Sequence, residues 1–336
     1  MMANRQWRIA SVPEGRLTQD CFTLTESEVP SITDEQVLVR VLWISIDAAG
    51  RAWFQADTYR RALQIGDVMP GFAIGEVVKS GSPAFASGDI VTGDLGWQDY
   101  VALDPRRLQR LDADRPLPTY LSVLGITGLT AYLGLTQAGE VRAGDTVVVS
   151  GAAGATGSLV GQIAKLMGCR VVGICGSKEK QDWLKTTLGF DATVSHRDAD
   201  LRGALRNACP DGIDVYFDNV GGPILETVLG LMAPGGRVAC CGVVSQYDGD
   251  APETGPRGVP GRLILRNLTM RGFIVTVYQD KFPAALEQLA AWLDDRSLKL
   301  TEDVLEGLES APEGLVGLLG GTNVGKRLIH VGDPAV

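Results

Sequence analysis

The sequence predicts an α/β protein of two domains: a β barrel from the first third of the chain, then a doubly wound parallel sheet with helices on both faces. Three observations predict it. The chain has 336 residues, 45% of them hydrophobic, enough core for two domains or one large domain with an appendage. Its first third carries short β-branched runs broken by turn residues, the pattern of a compact barrel or sandwich. From about Tyr120 the rhythm becomes Val/Ile-rich runs alternating with helical patterns. Continuous apolar strands flanked by helices belong to parallel sheets buried on both sides.

The elements follow in order. Gln36–Ile44 reads as a strand, and Gly75–Lys79 and Asp89–Asp94 as two more, separated by a turn at Ser80–Pro83. Ser122–Ala138 has a helical pattern, Asp145–Ser150 is a buried strand and Ser158–Met167 a helix. Arg170–Cys175 is the next strand and Lys178–Leu188 the next helix, with further strands at Ile213–Asp218 and Gly236–Gly242. Asp248–Gly261 holds three prolines and four glycines and reads as a mobile loop. Phe282–Asp294 is amphipathic, and Gly325–Val331 is a last strand placed to return to the first domain. The punctuation changes near Gly125, so the expected domains are residues 1–124 with 307–336, and residues 125–306.

Composition excludes several classes. The net charge is −9 and the pI about 4.9, so no basic face is expected for nucleic acid. No apolar run approaches the ~18–20 residues a membrane span needs. Six scattered cysteines without a C-x-x-C spacing, and no apolar leader after Met1, imply free thiols and a cytoplasmic protein.

Chemistry enters at the turn after the strand ending in Ser150. Gly151, Gly154 and Gly157 stand between that strand and a helical pattern. Such a turn lets backbone N–H groups approach a pyrophosphate at the positive end of the helix. The spacing is S-G-x-x-G-x-x-G, and the competing reading is a small-residue turn for close helix–strand packing. The next strand ends in Cys175-Gly176-Ser177, without the Asp or Glu that bonds a ribose 2′-hydroxyl in NAD sites. Lys178 and Lys180 follow, which favours NADPH/NADP+; alternatively they are solvated lysines of a helix start. Adjacent Cys240 and Cys241 point to opposite faces of a strand, and Asp218, beside Asn219, reads as an acceptor for the turn amides of Gly221 and Gly222 rather than a general base.

These residues resemble a known group. Gly88–Tyr100, Gly125–Tyr132, the glycine turn, Cys209–Gly222, Cys241–Tyr247, Gly272–Val275 and Thr322–Lys326 occur in the order seen in zinc-free medium-chain dehydrogenases/reductases. The branch is that of leukotriene B4 dehydrogenase/prostaglandin reductase, with curcumin-reductase-like enzymes and alkenal double-bond reductases. The resemblance implies a GroES-like N-terminal barrel and a Rossmann domain. It also implies NADPH-dependent reduction of the carbon–carbon double bond of α,β-unsaturated ketones and aldehydes, and a homodimer joined at the sheet edges of the cofactor domains. It sets Gly154, Ala155, Thr156 and Gly157 on the pyrophosphate and Lys180 on the 2′-phosphate. Thr130, Asn219, Cys241, Gly242, Val243, Ser245, Tyr247, Phe273, Ile274, Val275 and Asn323 then line the cofactor.

This chain departs from the family twice. The 2′-phosphate tyrosine is replaced within Ser195-His196-Arg197, where His196 takes over the contact. The family's D-P-Y-M-R reads Asp47-Ala48-Ala49-Gly50-Arg51, so the aromatic wall of the substrate pocket is absent at Ala49, and Trp53, Phe54 or Tyr59 is left to fill it. Where zinc-dependent relatives carry a ligand histidine this chain has Gly71, and only His196 and His330 occur in it. No metal is expected. The carbonyl of an enone then needs a hydrogen-bond donor, and Tyr247, at the end of the S-x-Y segment, is the expected one; the alternative is a tyrosine that only packs on the cofactor. Reduction of quinones, and NADP(H) binding without turnover, are the competing functions.

Overall fold

The computed structural model describes residues 3–248 and 256–335. The chain divides into two compact units. The first comprises Met1–Leu121, Glu302–Asn323 and Arg327–Val336, and the second Ser122–Thr301 with Val324–Lys326.

In the first unit β1 (Ala3–Ile9) and β2 (Phe22–Glu28) form an antiparallel pair. A seven-stranded sheet contains β3 (Val37–Ser45), β4 (Phe72–Ser80), β5 (Ile90–Asp94), β6 (Tyr100–Leu103) and β7 (Gln109–Arg110). Two strands from the end of the chain complete it, β14 (Glu302–Glu306) and β15 (Lys326–His330). The strand β3 pairs with β4, with β6 along Val37–Arg40, and with β15 along Trp43–Ser45. Three partners on one strand wrap the sheet toward a barrel. A register shift between Val41 and Trp43 changes which side chains face inward. Val37, Val39 and Val41 enter the core before it, and Ile44 and Ile46 after it. The short helix α1 (Ala49–Ala52) follows directly, and α9 (Ala311–Leu319) packs Leu315 into the same core.

The second unit is a six-stranded parallel sheet: β8 (Thr146–Ser150), β9 (Arg170–Cys175), β10 (Ala192–Ser195), β11 (Ile213–Asp218), β12 (Met232–Cys240) and β13 (Thr269–Gly272). Their order across the sheet is β10-β9-β8-β11-β12-β13, so the winding reverses between β8 and β11. Side chains alternate between two cores. Val147, Val149, Val171, Phe217 and Ala239 face one, under α2 (Ile126–Leu133), α3 (Ala155–Leu166), α4 (Lys178–Thr186) and α8 (Phe282–Asp294). Val148, Val172, Tyr216 and Val238 face the other, under α5 (Leu201–Ala208), α6 (Gly222–Leu229) and α7 (Val259–Arg266). Cys240 packs on the second core and Cys241 on the first, as strand alternation requires.

Several boundaries differ from expectation. The helix α3 begins at Ala155, not Ser158, because the small residues 155–157 carry no apolar signal. The helix expected over Ser122–Ala138 starts at Ile126 and ends in a wider turn over Gly134–Ala138, closed by Gly139 N–H donating to the Gly134 carbonyl at 2.8 Å. The strand expected from Gly236 starts at Met232 and tolerates Pro234 through a register shift against β11. Of the loop expected over Asp248–Gly261, residues 249–255 lie outside the described residues. Its last three residues instead open α7, with Pro260 in the first turn, where a missing N–H costs no helical bond. Among the described residues no helix is long and apolar enough to cross a membrane.

Candidate active site

The site is built from the carboxyl ends of the parallel strands, beginning where the winding reverses, the place where open α/β sheets leave a crevice. At the end of β8 the chain turns through Gly151, whose φ of +58° favours glycine. Gly154 N–H donates to the Gly151 carbonyl at 3.0 Å, and α3 starts at the next residue. Gly157 is locked against this turn: a Cβ there would lie 2.3 Å from the Gly151 oxygen. Gly154 caps α3 with no side chain, so the amides of the first turn present their partial positive charge to a ligand rather than to a cap. Gly325 braces the turn from outside, donating to the Ala153 carbonyl at 2.9 Å.

At the end of β9 the next strand over contributes a cationic set. A Cβ on Gly176 would lie 2.9 Å from His196 Cε1 and 3.5 Å from the Arg197 guanidinium, so both side chains lie over that glycine. Two backbone anchors hold them there: His196 N–H donates to the Cys175 carbonyl at 3.1 Å, and Arg197 N–H to Ser195 Oγ at 3.1 Å. Ser177 caps α4 by accepting from the Lys180 amide at 3.3 Å. Desolvation against this wall, then the charges of Arg197 and Lys180, hold the His196 imidazole below its usual 6.5. Burial pushes the Cys175 thiol up to about 11, so it stays neutral beside them.

At the end of β11, Asp218 is 2% exposed and receives donors from four groups at 2.8–3.0 Å. These are Ser150 Oγ, Tyr216 Oη and the amides of Val220 and Gly221. The carboxylate is a structural acceptor for the turn, through the Gly221 amide as expected but with Val220 in place of Gly222. Burial, then the neighbouring charge of Asp218, pushes the Tyr216 phenol well above 10. Asn219 is fixed by Ser150 twice, its amide donating to Oγ at 3.0 Å and its Nδ2 to the carbonyl at 2.7 Å. Ser150 is fully buried at the end of a valine run, a site residue whose one sequence signal is a lone hydroxyl where the strand pattern wants another apolar residue.

The end of β12 hangs on this turn. Cys241 and Gly242 amides donate to the Asp218 carbonyl at 2.8 and 3.1 Å. Val244 N–H donates to the Asn219 carbonyl, and Ser245 reaches the Val220 carbonyl through its amide and its hydroxyl. Val243 is 40% exposed, and half-buried Tyr247 closes the short turn, its amide donating to the Val244 carbonyl at 3.2 Å. Beyond β13, Phe273 packs edge-on against Phe217 at 6.1 Å, possible because a Cβ on Gly134 would lie 2.3 Å from its ring. Ile274 is half exposed, whereas Val275 is buried among Leu129, Leu133 and Ala285. Thr130 sits on α2, partly exposed, its carbonyl accepting from Gly134.

The remaining site candidates belong to the first unit. Asn323 is buried there. Ala49 starts α1, and its carbonyl accepts from Trp53 N–H one turn on. The buried Trp53 ring is held on two sides: its Nε1 donates to Tyr59 Oη at 2.9 Å, and the Arg60 guanidinium lies 4.2 Å above it. Arg60 is in turn paired with Asp94, and Asp94 accepts from Gly71 N–H at 3.0 Å. Of the three aromatics expected to replace the wall at Ala49, Phe54, edge-on to Phe22 at 6.0 Å, and Trp53 both belong to the buried core, while Tyr59 is 62% exposed. Gly71 has no room for a ligand side chain, since a Cβ would lie 2.8 Å from Trp97 Nε1. Among the described residues no group of three His, Cys, Asp or Glu is arranged to hold a metal ion.

Residues 5–111 match the family model described as the N-terminal domain of oxidoreductase, and residues 155–291 the one described as zinc-binding dehydrogenase. The 2-alkenal reductase (NADP(+)-dependent) of Nicotiana tabacum is 41% identical over 88% of this chain and 87% of its own. Prostaglandin reductase 1 of Rattus norvegicus is 40% identical over 98% of this chain and 99% of its own. The crystal structure of CurA in complex with NADPH from Vibrio vulnificus superposes with a TM-score of 0.93 at 37% identity, covering 98% of this chain and all of that one. Identity of this order along nearly the whole length, with the same two-part architecture, means that the chain belongs to the medium-chain dehydrogenase/reductase family, in its zinc-free leukotriene B4 dehydrogenase/prostaglandin reductase branch.

Proposed function

We propose that this chain is an NADPH-dependent ene-reductase acting on the carbon–carbon double bond of α,β-unsaturated aldehydes and ketones. The observation that carries the reading is the pairing of an uncapped helix start, tight against Gly151 and Gly157, with His196 and Arg197 over Gly176 at the end of the neighbouring strand. A pyrophosphate suits the first, and a 2′-phosphate the second. Relatives named as an NADP(+)-dependent 2-alkenal reductase and a prostaglandin reductase support the reaction class.

The second unit is the cofactor domain and the first the substrate domain; the expected change at 306/307 falls instead at 301/302, because β14 joins the sheet of the first unit. Gly154, Ala155, Thr156 and Gly157 hold the pyrophosphate; Lys180 and His196 hold the 2′-phosphate. Thr130, Asn219, Cys241, Gly242, Val243, Ser245, Phe273, Ile274, Val275 and Asn323 line the nicotinamide half. Bound NADPH supplies the hydride that the β-carbon accepts. The chain's task is to stabilise the negative charge that then develops on the substrate's carbonyl oxygen. Tyr247 donates a hydrogen bond to that oxygen, and one well-placed donor lowers such a barrier by about 3–4 kcal/mol. The α-carbon takes its proton from Tyr247 or water. Ala49 and Trp53 face the substrate, with Tyr59 tied to Trp53. The protein is cytoplasmic and dimeric, joined at β13, one of the two edge strands of its sheet.

Tyr247→Phe tests the assignment. NADPH oxidation is followed with a panel of enones, enals and quinones, and the products are identified. The expected result is a saturated carbonyl product and a kcat lowered by about 100- to 1,000-fold in the variant, with NADP+ affinity within about twofold of the parent because a phenyl ring keeps the packing. Unchanged turnover removes Tyr247 from the mechanism, and hydroquinone as the only product overturns the reaction class.

A further inference from the structure

We infer that His196 takes up a proton when a 2′-phosphate binds over Gly176, so that pH sets how strongly this chain prefers NADP(H) to NAD(H). The inference rests on the cofactor reading above and concerns one ring within it.

The geometry follows from strand register. Residue 196 lies at the end of β10, and the parallel register sets Ser195 beside Cys175, so the next residues of each strand meet. Gly176 gives up its side chain, and the imidazole and the Arg197 guanidinium occupy the space above it. Lys180 adds a second positive field from α4, reaching both His196 and the Cys175 thiol. With no anion present, these cations oppose an imidazolium, and partial desolvation opposes it further. A phosphate monoester carries ≈ −1.5 to −2 charge at pH 7. Placed among them, it reverses the sign of the field at the ring, so the protonated form becomes the favoured one.

The charged neighbours on each packed element leave the ring as the responsive group. On β9 the only titratable neighbour is the Cys175 thiol, which burial keeps neutral. On α4, Lys178 pairs with Asp182. Glu179 is held ionised by its own amide and by Ser177, its carboxyl below the usual range. On the loop that follows β10, the Arg197 guanidinium shares the space over Gly176 with the ring, and Asp200 is turned away to cap α5 at the Gly203 amide, 2.8 Å distant. The proton comes from solvent and goes to the imidazole, and no other bond changes. Because the ring's pKa is raised in the bound state, the added affinity is complete below the free pKa and is lost as pH rises through the bound one.

The chain has two histidines, so their ring resonances can be followed in protein labelled at histidine. The experiment titrates His196 by NMR, alone, with NADP+ and with NAD+, using His330 in the other unit as internal comparison. The expected midpoint lies below 6.5 without ligand, moves up by about one pH unit with NADP+, and stays put with NAD+, which lacks the 2′-phosphate. Correspondingly, the ratio of NADP+ to NAD+ affinity falls by up to about threefold between pH 7 and 8.5, a window in which the phosphate itself stays dianionic, and becomes flat in His196→Gln. Arg197→Gln weakens NADP+ at every pH but keeps the slope. An unmoved midpoint with NADP+ bound overturns the inference and leaves the cofactor reading standing. Failure to bind NADP+ at any pH overturns the cofactor reading itself.

Discussion

At Gly157 a hydrogen stands where any other residue would place a carbon 2.3 Å from the Gly151 oxygen. That oxygen also accepts from Gly154, so it cannot retreat without opening the turn. Gly157→Ala therefore displaces the start of α3. The expected outcome is a loss of about 1–3 kcal/mol in stability and a drop of at least about tenfold in NADP+ affinity, measured by thermal melting and calorimetry. Asp218 illustrates the other side of residue-scale logic. One buried oxygen serves four donors, and its backbone carbonyl carries the segment that ends in Tyr247. A carboxylate so engaged orders the site without being available to the chemistry. Its role was readable from the sequence because a short acid before Asn219-Val220-Gly221-Gly222 has turn amides within reach.

Elements in this protein are held at their amino-terminal ends as well as their functional ends. Arg237 on β12 pairs with Asp145 just before β8, both side chains largely buried at 12% and 13% exposure, and its Nε donates to the Gly139 carbonyl at 3.2 Å. Removing one partner strands a buried charge, so Arg237→Ala is expected to cost about 3–5 kcal/mol in denaturant unfolding. The double replacement Arg237→Met with Asp145→Leu should recover most of that, because an apolar pair leaves no charge behind. The strands tied this way were legible as elements, since valine runs bounded by glycine and polar turns admit few other conformations. The β1–β2 pair was not legible: Asn4-Arg5-Gln6-Trp7-Arg8 is polar enough to read as loop, and only pairing with residues 22–28 makes it a strand.

At the scale of the whole molecule, the edge strand β13 and the apolar side chains near it bear on assembly. Ile264 and Leu265 on α7 are 78% and 84% exposed, and Val277 is 67% exposed. Open strand edges and adjacent apolar side chains are covered in stable assemblies, which supports the proposed dimer. Leu265→Glu places a charge in that cover. The expected result is a shift from dimer to monomer by light scattering at micromolar concentration, with the melting temperature lowered. A parent that is already monomeric removes the proposed interface.

The sequence by itself determined the two-part architecture, the glycine turn and the family, because these depend on local periodicity and on short runs whose chemistry is complete in ten or so residues. Tertiary structure decided what depends on partners distant in the chain. It assigned Phe54 to the core and tied Tyr59 to Trp53, a choice that composition leaves open because all three are aromatic. It also brought His196 and Arg197 onto Gly176, twenty residues earlier. That meeting is fixed by the register of two parallel strands, and no pattern within either segment encodes it.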